Sequence, residues 1–296
     1  MKKISSLLLI LLTALAVMSC DKEDNDVNNA DVNNGKRLLK TVYYDENDME
    51  LSVEEWTYGN NSRCMTAYRD GAPSRKTVYL TSEYESSMQH FTWNGGNWSL
   101  QVETITKMDK QGRTLSMESR LGSPSYRTDS AWYTYSGDST IVVSSINGQV
   151  AYKNVTVHKG NTTESIRYSY SGDNLWKEMD YQKTILTFMD GDNAKPLSRV
   201  IYGRNGNVLS RHDFEWNGRN YKTYLTSLDG VRYLHTEQTI DGDTSTVIRY
   251  SINTDDETPV DKSVTRKMGS ITEQYSYGYI DGDWVFAEKK VDFYEE

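Results

Sequence analysis

Four histidines, two cysteines and 42 acidic side chains are the groups in this chain that could do chemistry. The histidines are His90, His158, His212 and His235. None has a second histidine or a cysteine at the spacing a metal site uses. His212 and Asp213 are adjacent, and adjacent residues of a strand point to opposite faces, so the carboxylate cannot orient that imidazole. The carboxylates are spread along the chain, and no pair stands out for glycoside chemistry. Three Asp-Gly-Asp turns, beginning at Asp190, Asp241 and Asp281, carry ligands that suit calcium, yet turn chemistry alone explains them. These residues predict no catalytic constellation, no metal centre and no cofactor. The chain is expected to be a non-enzymatic protein.

The aromatic residues are the better lead. Trp, Tyr and Phe number 7, 22 and 5. Trp93, Trp98, Trp216, Tyr221 and Trp284 sit beside turn sequences, where exposed rings could stack on sugars. The competing reading is that they bury one face of a sheet, because the alternation of apolar and polar residues continues through them.

The elements that must position these residues are short strands. Gly206, Gly218, Gly230 and Gly242 lie twelve residues apart, each after Asn or Asp. Asn-Gly and Asp-Gly are the pairs a type I′ hairpin turn requires, because both central residues take φ > 0. Between the turns, runs such as Asp213-Phe214-Glu215-Trp216 and Tyr221-Lys222-Thr223-Tyr224 alternate with period two. Turn signals recur through the chain at Asp70-Gly71, Asn94-Gly95, Gln111-Gly112, Ser136-Gly137, Asn147-Gly148, Lys159-Gly160 and Asp281-Gly282. No helical stripe of useful length appears. This spacing predicts an all-β chain of about eighteen short strands. The expected architecture is a repetitive antiparallel meander forming an extended twisted sheet, with a β-sandwich or a solenoid as the alternative and edge strands blunted by Lys and Asp. Period-two alternation also permits a barrel. A membrane-spanning barrel requires a continuous apolar outer band, and strands such as Glu164–Tyr170 do not supply one.

The ends carry their own signals. Residues 1–19 have a basic start at Lys2 and Lys3 and an apolar core from Leu7 to Val17, the pattern of a removable signal peptide. Residues 20–36 are acidic and Asn-rich, too poor in apolar surface to offset the entropy of ordering, and read as a tether. Residues 37–296 form the hairpin-repeat domain. Without residues 1–19, which hold two lysines and no acid, the 33 basic and 42 acidic side chains become 31 and 42, a net charge of −11. That balance argues against nucleic acid as a partner. If Cys20 is modified, Cys64 is alone, which excludes an intrachain disulfide and makes a buried structural thiol the expectation.

Five resemblances add to these readings. Ala16-Val17-Met18-Ser19-Cys20 resembles the lipobox of bacterial lipoproteins, which implies cleavage before Cys20 and acylation (palmitate-type chains) of that residue. Asp21-Lys22-Glu23-Asp24 resembles the surface-export signal of Bacteroides-type lipoproteins, implying an outer-membrane, lipid-anchored, surface-exposed location. Asp109–Leu115 and Tyr202–Val208 resemble the core of YD (RHS-type) repeats, and Asp281–Lys290 resembles units of secreted Bacteroides and Flavobacterium repeat proteins. Asp129-Ser130-Ala131 and Asp138-Ser139-Thr140 resemble the O-glycosylation acceptor of these bacteria, which points to Ser130 and Ser139. Together they imply a cell-surface lipoprotein that binds glycan or protein ligands, or else scaffolds the envelope; an enzyme acting on extracellular polymers is a third reading.

Overall fold

The computed structural model describes residues 32–33, 36–122, 127–170, 176–177, 183–189, 191–203, 205–227, 230–251 and 257–295. The signal segment, Cys20, the export motif and most of the tether lie outside them, as does Asp190. Every element among these residues is a strand. There are 22, of which Val32–Asn33 and Trp176–Lys177 are two-residue pieces, leaving 20 full strands of seven to twelve residues.

Each full strand pairs antiparallel with the next, Thr162–Tyr170 reaching directly to Lys183–Met189. The last strand, Asp283–Tyr294, then pairs with the first, Lys36–Tyr44, through Thr41↔Asp292 and Val42↔Val291. The sheet is therefore a closed 20-strand barrel. This corrects the expected extended twisted sheet, and the sandwich and solenoid alternatives with it. No edge needs blunting, because the two strands that would be edges bond to each other. The strand count is also higher than eighteen.

Cross-strand partners share a face, so each face can be followed around the ring. One face runs from Thr41 through Glu54, Ala67, Arg75, Thr92, and by alternation through Thr77 and His90 to Val102, Leu121 and Arg127. It continues through Asp129, Ala131, Val142, Asn154, Arg167, Thr184, Ile201, Ser210, His212, Phe214, Thr223, Thr236 and Arg249. Asp261, Gly278, Ser276, Gln274 and Thr272 then lead back to Asp292. This is the inner face. Side chains on the concave side of a closed sheet converge, and among the described residues nine of the ten buried polar ones, Thr41, Glu54, Thr77, Ser119, Asp129, Thr163, Thr223, Thr272 and Asp292, belong to it, with Ser145 on the other face. The outer face fans out, leaving Trp132 48% exposed.

Only nine apolar residues are buried among the described residues, and six of them, Leu38, Val42, Val53, Met65, Ala67 and Val291, lie on the four neighbouring strands Lys36–Tyr44, Glu50–Tyr58, Ser62–Arg69 and Asp283–Tyr294. The molecule has no central hydrophobic core. Twenty strands about 4.8 Å apart at a typical barrel tilt enclose a ring about 40 Å across if circular, wider than inward side chains can fill. Polar ladders hold the inner wall instead: Thr104 Oγ1 donates to Ser119 Oγ at 3.2 Å, and Thr156 and Ser165 share a hydrogen bond of 2.8 Å. The buried carboxylates are paired, Glu54 with Arg75, Asp129 with Arg127 at 2.7 Å and Asp292 with Lys290 at 2.9 Å.

The two rims differ in turn chemistry. Asp70-Gly71, Asn147-Gly148 and Asp281-Gly282 have φ > 0 at both positions and close type I′ hairpins on one rim. On the other rim the hairpins close at Gly137-Asp138, Gly160-Asn161, Gly218-Arg219, Gly242-Asp243 and Gly269-Ser270, with φ > 0 at the glycine alone. The turns at Asn217-Gly218 and Asp241-Gly242 are therefore shifted by one residue from the expected I′ register, and Asn217 and Asp241 end their strands. Four other connections, 45–49, 109–113, 203–207 and 227–231, share one five-residue loop. In each, the first N–H donates to the fifth carbonyl and the fourth N–H to the first.

The I′ rim also carries most of the bulges, while Leu39, Leu115 and Leu197 are extra residues near the other rim. Leu51, Ser74, Gln101, Ala151, Leu209, His235, Val260 and Ala287 are extra residues in the strands that return from the I′ rim. A bulge bends its strand and increases local twist, which is how a long sheet is curved to closure.

Candidate functional site

The aromatic residues singled out in the sequence do not form one patch. Trp93 and Trp98 face each other across the 94–97 turn, with ring centroids 5.1 Å apart. Trp284 faces Tyr279 across Asp281-Gly282 at 5.0 Å. Both pairs lie at the bulged rim, on the outer face. Trp216 and Tyr221 pair at 5.0 Å across Gly218-Arg219, which is the opposite rim, and on the inner face. Trp216 Nε1 donates to the Pro196 carbonyl at 2.8 Å, so that ring is fixed into the wall. A single surface using both Trp216 and Trp284 is ruled out by this placement.

The two outer pairs belong to one repeated construction. Lys76 Nζ lies 4.9 Å from the Phe91 ring centroid and 5.0 Å from that of Trp98. Lys262 Nζ lies 4.5 Å from the Tyr277 ring and 4.7 Å from Trp284. Lys76, Phe91, Trp93 and Trp98 match Lys262, Tyr277, Tyr279 and Trp284 with a constant offset of 186 residues. The bulge is matched too, Gln101 after the first hairpin and Ala287 after the second. Each unit is a cradle in which an ammonium group sits over two rings, a cation–π arrangement worth about 0.5–1 kcal/mol per contact at a partly exposed site. All eight side chains are half-buried. Around the ring the cradles are separated by six strand steps, about 29 Å at the usual strand spacing. Lys76, Phe91, Lys262, Tyr277 and Tyr279 were not singled out in the sequence; the shared spacing was the signal that could have found them.

The outer wall between and beyond the cradles is charged. Gln89 Nε2 donates to Glu103 at 2.8 Å, and Arg120 bridges Glu118 and Glu103. Glu164–Lys183, Glu237–Lys222 and Glu273–Lys289 continue the pattern at 2.7, 3.0 and 3.4 Å. Glu103, Glu164 and Glu237 lie inside their strands rather than at the ends. They and their partners Arg120, Lys183 and Lys222 are unlike a lipid-facing apolar band, where a Lys or Arg costs about 2–4 kcal/mol at the bilayer midplane and an acid less. Ser130 and Ser139 are half-exposed on this outer wall, by pairing with Ser145 and with Ser136.

The histidines all lie on the inner side. His90 and His158 share hydrogen bonds with Thr77 and Thr163 at 2.8 and 3.0 Å. His212 meets His235 edge to face at 5.8 Å. Burial and, secondarily, the neighbouring His235 and Arg199 hold the His212 pKa below the usual imidazole value, with Asp213 opposing. Burial, with Arg75, does the same to His90. Asp213 itself turns outward and accepts from Arg211 Nε at 3.0 Å, as the strand alternation requires. Among the described residues no group of three or more His, Cys, Asp or Glu is placed to hold a metal ion. Cys64 is a free thiol, half-buried rather than buried, on the outer wall opposite Thr57 and Val78.

No protein-family model matches the chain, and no curated protein matches it. Among solved structures it is similar to a porin-like protein from Bacteroides uniformis, at 6% identity and a TM-score of 0.36, covering 87% of this chain and 96% of that one. A likeness so distant carries no argument about what this barrel does.

Proposed function

We propose that this chain is a lipid-anchored binding protein of the bacterial outer surface, a non-enzymatic barrel whose outer cradles hold glycan chains. The observation that supports it most is the repetition of one Lys–aromatic–Trp cluster, residue for residue, at one rim. Sugar rings present C–H faces to indole and phenol faces and hydroxyls to an ammonium group, and each cradle offers both. Two such cradles about 29 Å apart would engage a polymer bivalently, raising avidity without new contacts. The charged outer wall favours a barrel that stands in water over one that spans lipid, and acylation at Cys20 would tie it to the membrane.

The test uses the full chain in detergent. A panel of neutral polysaccharides is added while Trp fluorescence and release of reducing ends are followed together. Saturable quenching without new ends is the expected result. New reducing ends would overturn the non-enzymatic reading. One observation favours a second reading, a scaffold: the lysines already cover ring faces in both cradles. Absence of quenching across the panel, with a protein partner recovered by crosslinking in cells, would select it.

A further inference from the structure

One sector of the inner wall has a composition unlike the rest. Cross-strand partners carry a row from His158 to Thr163, Leu186, Arg199 and His212, and His212 touches His235. The row crosses neighbouring strands from Gln149–Lys159 to Arg232–Asp241 and spans about 29 Å at the usual strand spacing. Arg167 lies on the same face, over the Tyr152 ring at 4.3 Å. The inward neighbours of the row are hydroxyls and apolar groups: Thr156, Ser165, Thr184, Ser210, Phe214, Thr223 and Thr236. Among the described residues the acids of these strands turn outward, Glu164 to Lys183, Asp213 to Arg211, Glu215 to Arg232 and Glu237 to Lys222, while Asp192 meets Lys195 near the far rim. The inner carboxylates Glu54, Asp129, Asp261 and Asp292 belong to other sectors, and each has its own base. Thr223 adds an independent sign. The residue is 7% exposed and faces inward beside the row, and its buried hydroxyl has no hydrogen-bond partner. A buried hydroxyl left in that state is a site for a missing partner.

We infer that this row is a binding site for an acidic oligosaccharide, its carboxylate or sulfate groups meeting Arg199 and the histidines and its hydroxyls meeting the threonines. Arginine presents a planar fork that suits such anions. Among the described residues this acidic protein keeps carboxylates off the inner face of one sector, which makes that sector attractive to anions entering the lumen. Protonation of His212 adds positive charge to the row, and because burial and its cationic neighbours hold that imidazole below its ordinary value, the site strengthens as pH falls through the lowered value. The assignment goes beyond the outer-cradle reading and does not depend on it.

The experiment compares polygalacturonate with its fully methyl-esterified form, which has the same backbone without the charge, at pH 5.5 and 7.5 on the full chain in detergent. The acid form should bind at least about tenfold more tightly than the ester at pH 5.5, and the gap should narrow at pH 7.5. Arg199→Gln should remove most of that gap, and His212→Gln should remove its pH dependence, both with an unchanged melting temperature. Thr223→Val, which keeps the shape of the side chain, is a second probe and should weaken the acid form alone. Equal binding of acid and ester, no binding of either, or a gap that survives Arg199→Gln would overturn the site. Tighter binding of polyphosphate than of polygalacturonate would overturn the sugar assignment. Trp98→Ala and Trp284→Ala affect only the outer cradles, so loss of the acid–ester gap in those variants would also count against the inner row.

Discussion

Thr41 Oγ1 donates a 2.6 Å hydrogen bond to the Asp292 carboxylate, across 251 residues of chain. It sits on the seam where the first and last strands meet, with Thr41 1% exposed and Asp292 9% exposed. Asp292 also accepts from Lys290 Nζ at 2.9 Å. Asp292→Ala leaves a buried hydroxyl and an ammonium group without their acceptor. The expected cost is about 1–3 kcal/mol, read as a lower denaturation midpoint with unchanged denaturant slope. A change under about 0.3 kcal/mol would mean that the seam is held by its backbone bonds alone.

The cradles should act independently in stability and together in binding. Lys76→Ala and Lys262→Ala remove the cation from each set of rings, and their stability costs should add, since the two sites share no partner. Polymer affinity should fall in each single variant by more than one cradle's own contacts, because bivalent engagement is already lost, so the double variant should lose less than the two single losses combined. Isothermal titration with a long and a short oligomer of one neutral glycan separates the two effects. Equal losses for both lengths would show that each cradle works alone.

The far-rim hairpins depend on glycine at their first turn position. Gly218 has φ +63° and open space where a Cβ would lie. Gly218→Ala should therefore cost only the backbone penalty, about 1 kcal/mol, and leave the Trp216–Tyr221 contact in place. Chemical denaturation with Trp fluorescence reads both quantities, and a loss of the native emission would mean that the turn sets the register.

Two groups of the inner wall bound the pH range of the barrel. The Tyr43 hydroxyl is pushed up to about 12 by burial and by the nearby Glu54 and Asp292 carboxylates, with Arg75 opposing. In the unfolded chain tyrosine ionises near 10, so between about 10 and 12 the folded state holds a proton that the unfolded state has lost. Stability supplied by neutral Tyr43 is complete below 10 and is lost as pH rises through that window. His90 and His212 have lowered pKa values, burial being the first cause in each. Their contribution is present above the unfolded value near 6.5 and is lost as pH falls through the folded values. Thermal melting across pH 5–12 should show a plateau between these limits. Tyr43→Phe should extend it on the alkaline side; an unchanged alkaline limb would assign the loss to other groups.

Period-two alternation and Gly-centred turns were legible in residues such as Asp213–Trp216 and Asn147-Gly148, and they gave the all-β class and the hairpin unit. Closure was not legible. It rests on pairing Thr41 with Asp292, and no local period encodes a contact across the whole chain. The bulges at Gln101, His235 and Ala287 were equally hidden, because ordinary residue types occupy them and each one shifts the register beyond it. Turn assignment by residue pair failed at Asn217-Gly218 for a related reason. Asn217 has a strand partner in Asn220, and that pairing overrode the local preference for Asn in the turn. Of the aromatic candidates, Trp93, Trp98 and Trp284 share a rim and a face. Trp216 and Tyr221 do not, since which side of a sheet is concave depends on closure.

Lys36–Tyr44 begins, and Asp283–Tyr294 ends, at the rim opposite the cradles, where the Glu295 N–H donates to the Arg37 carbonyl at 2.8 Å. Anything that grips the chain ahead of Lys36 therefore grips it by one mouth and leaves the other facing away. The barrel then stands like a cup on its base, with both Lys–Trp cradles around the lip.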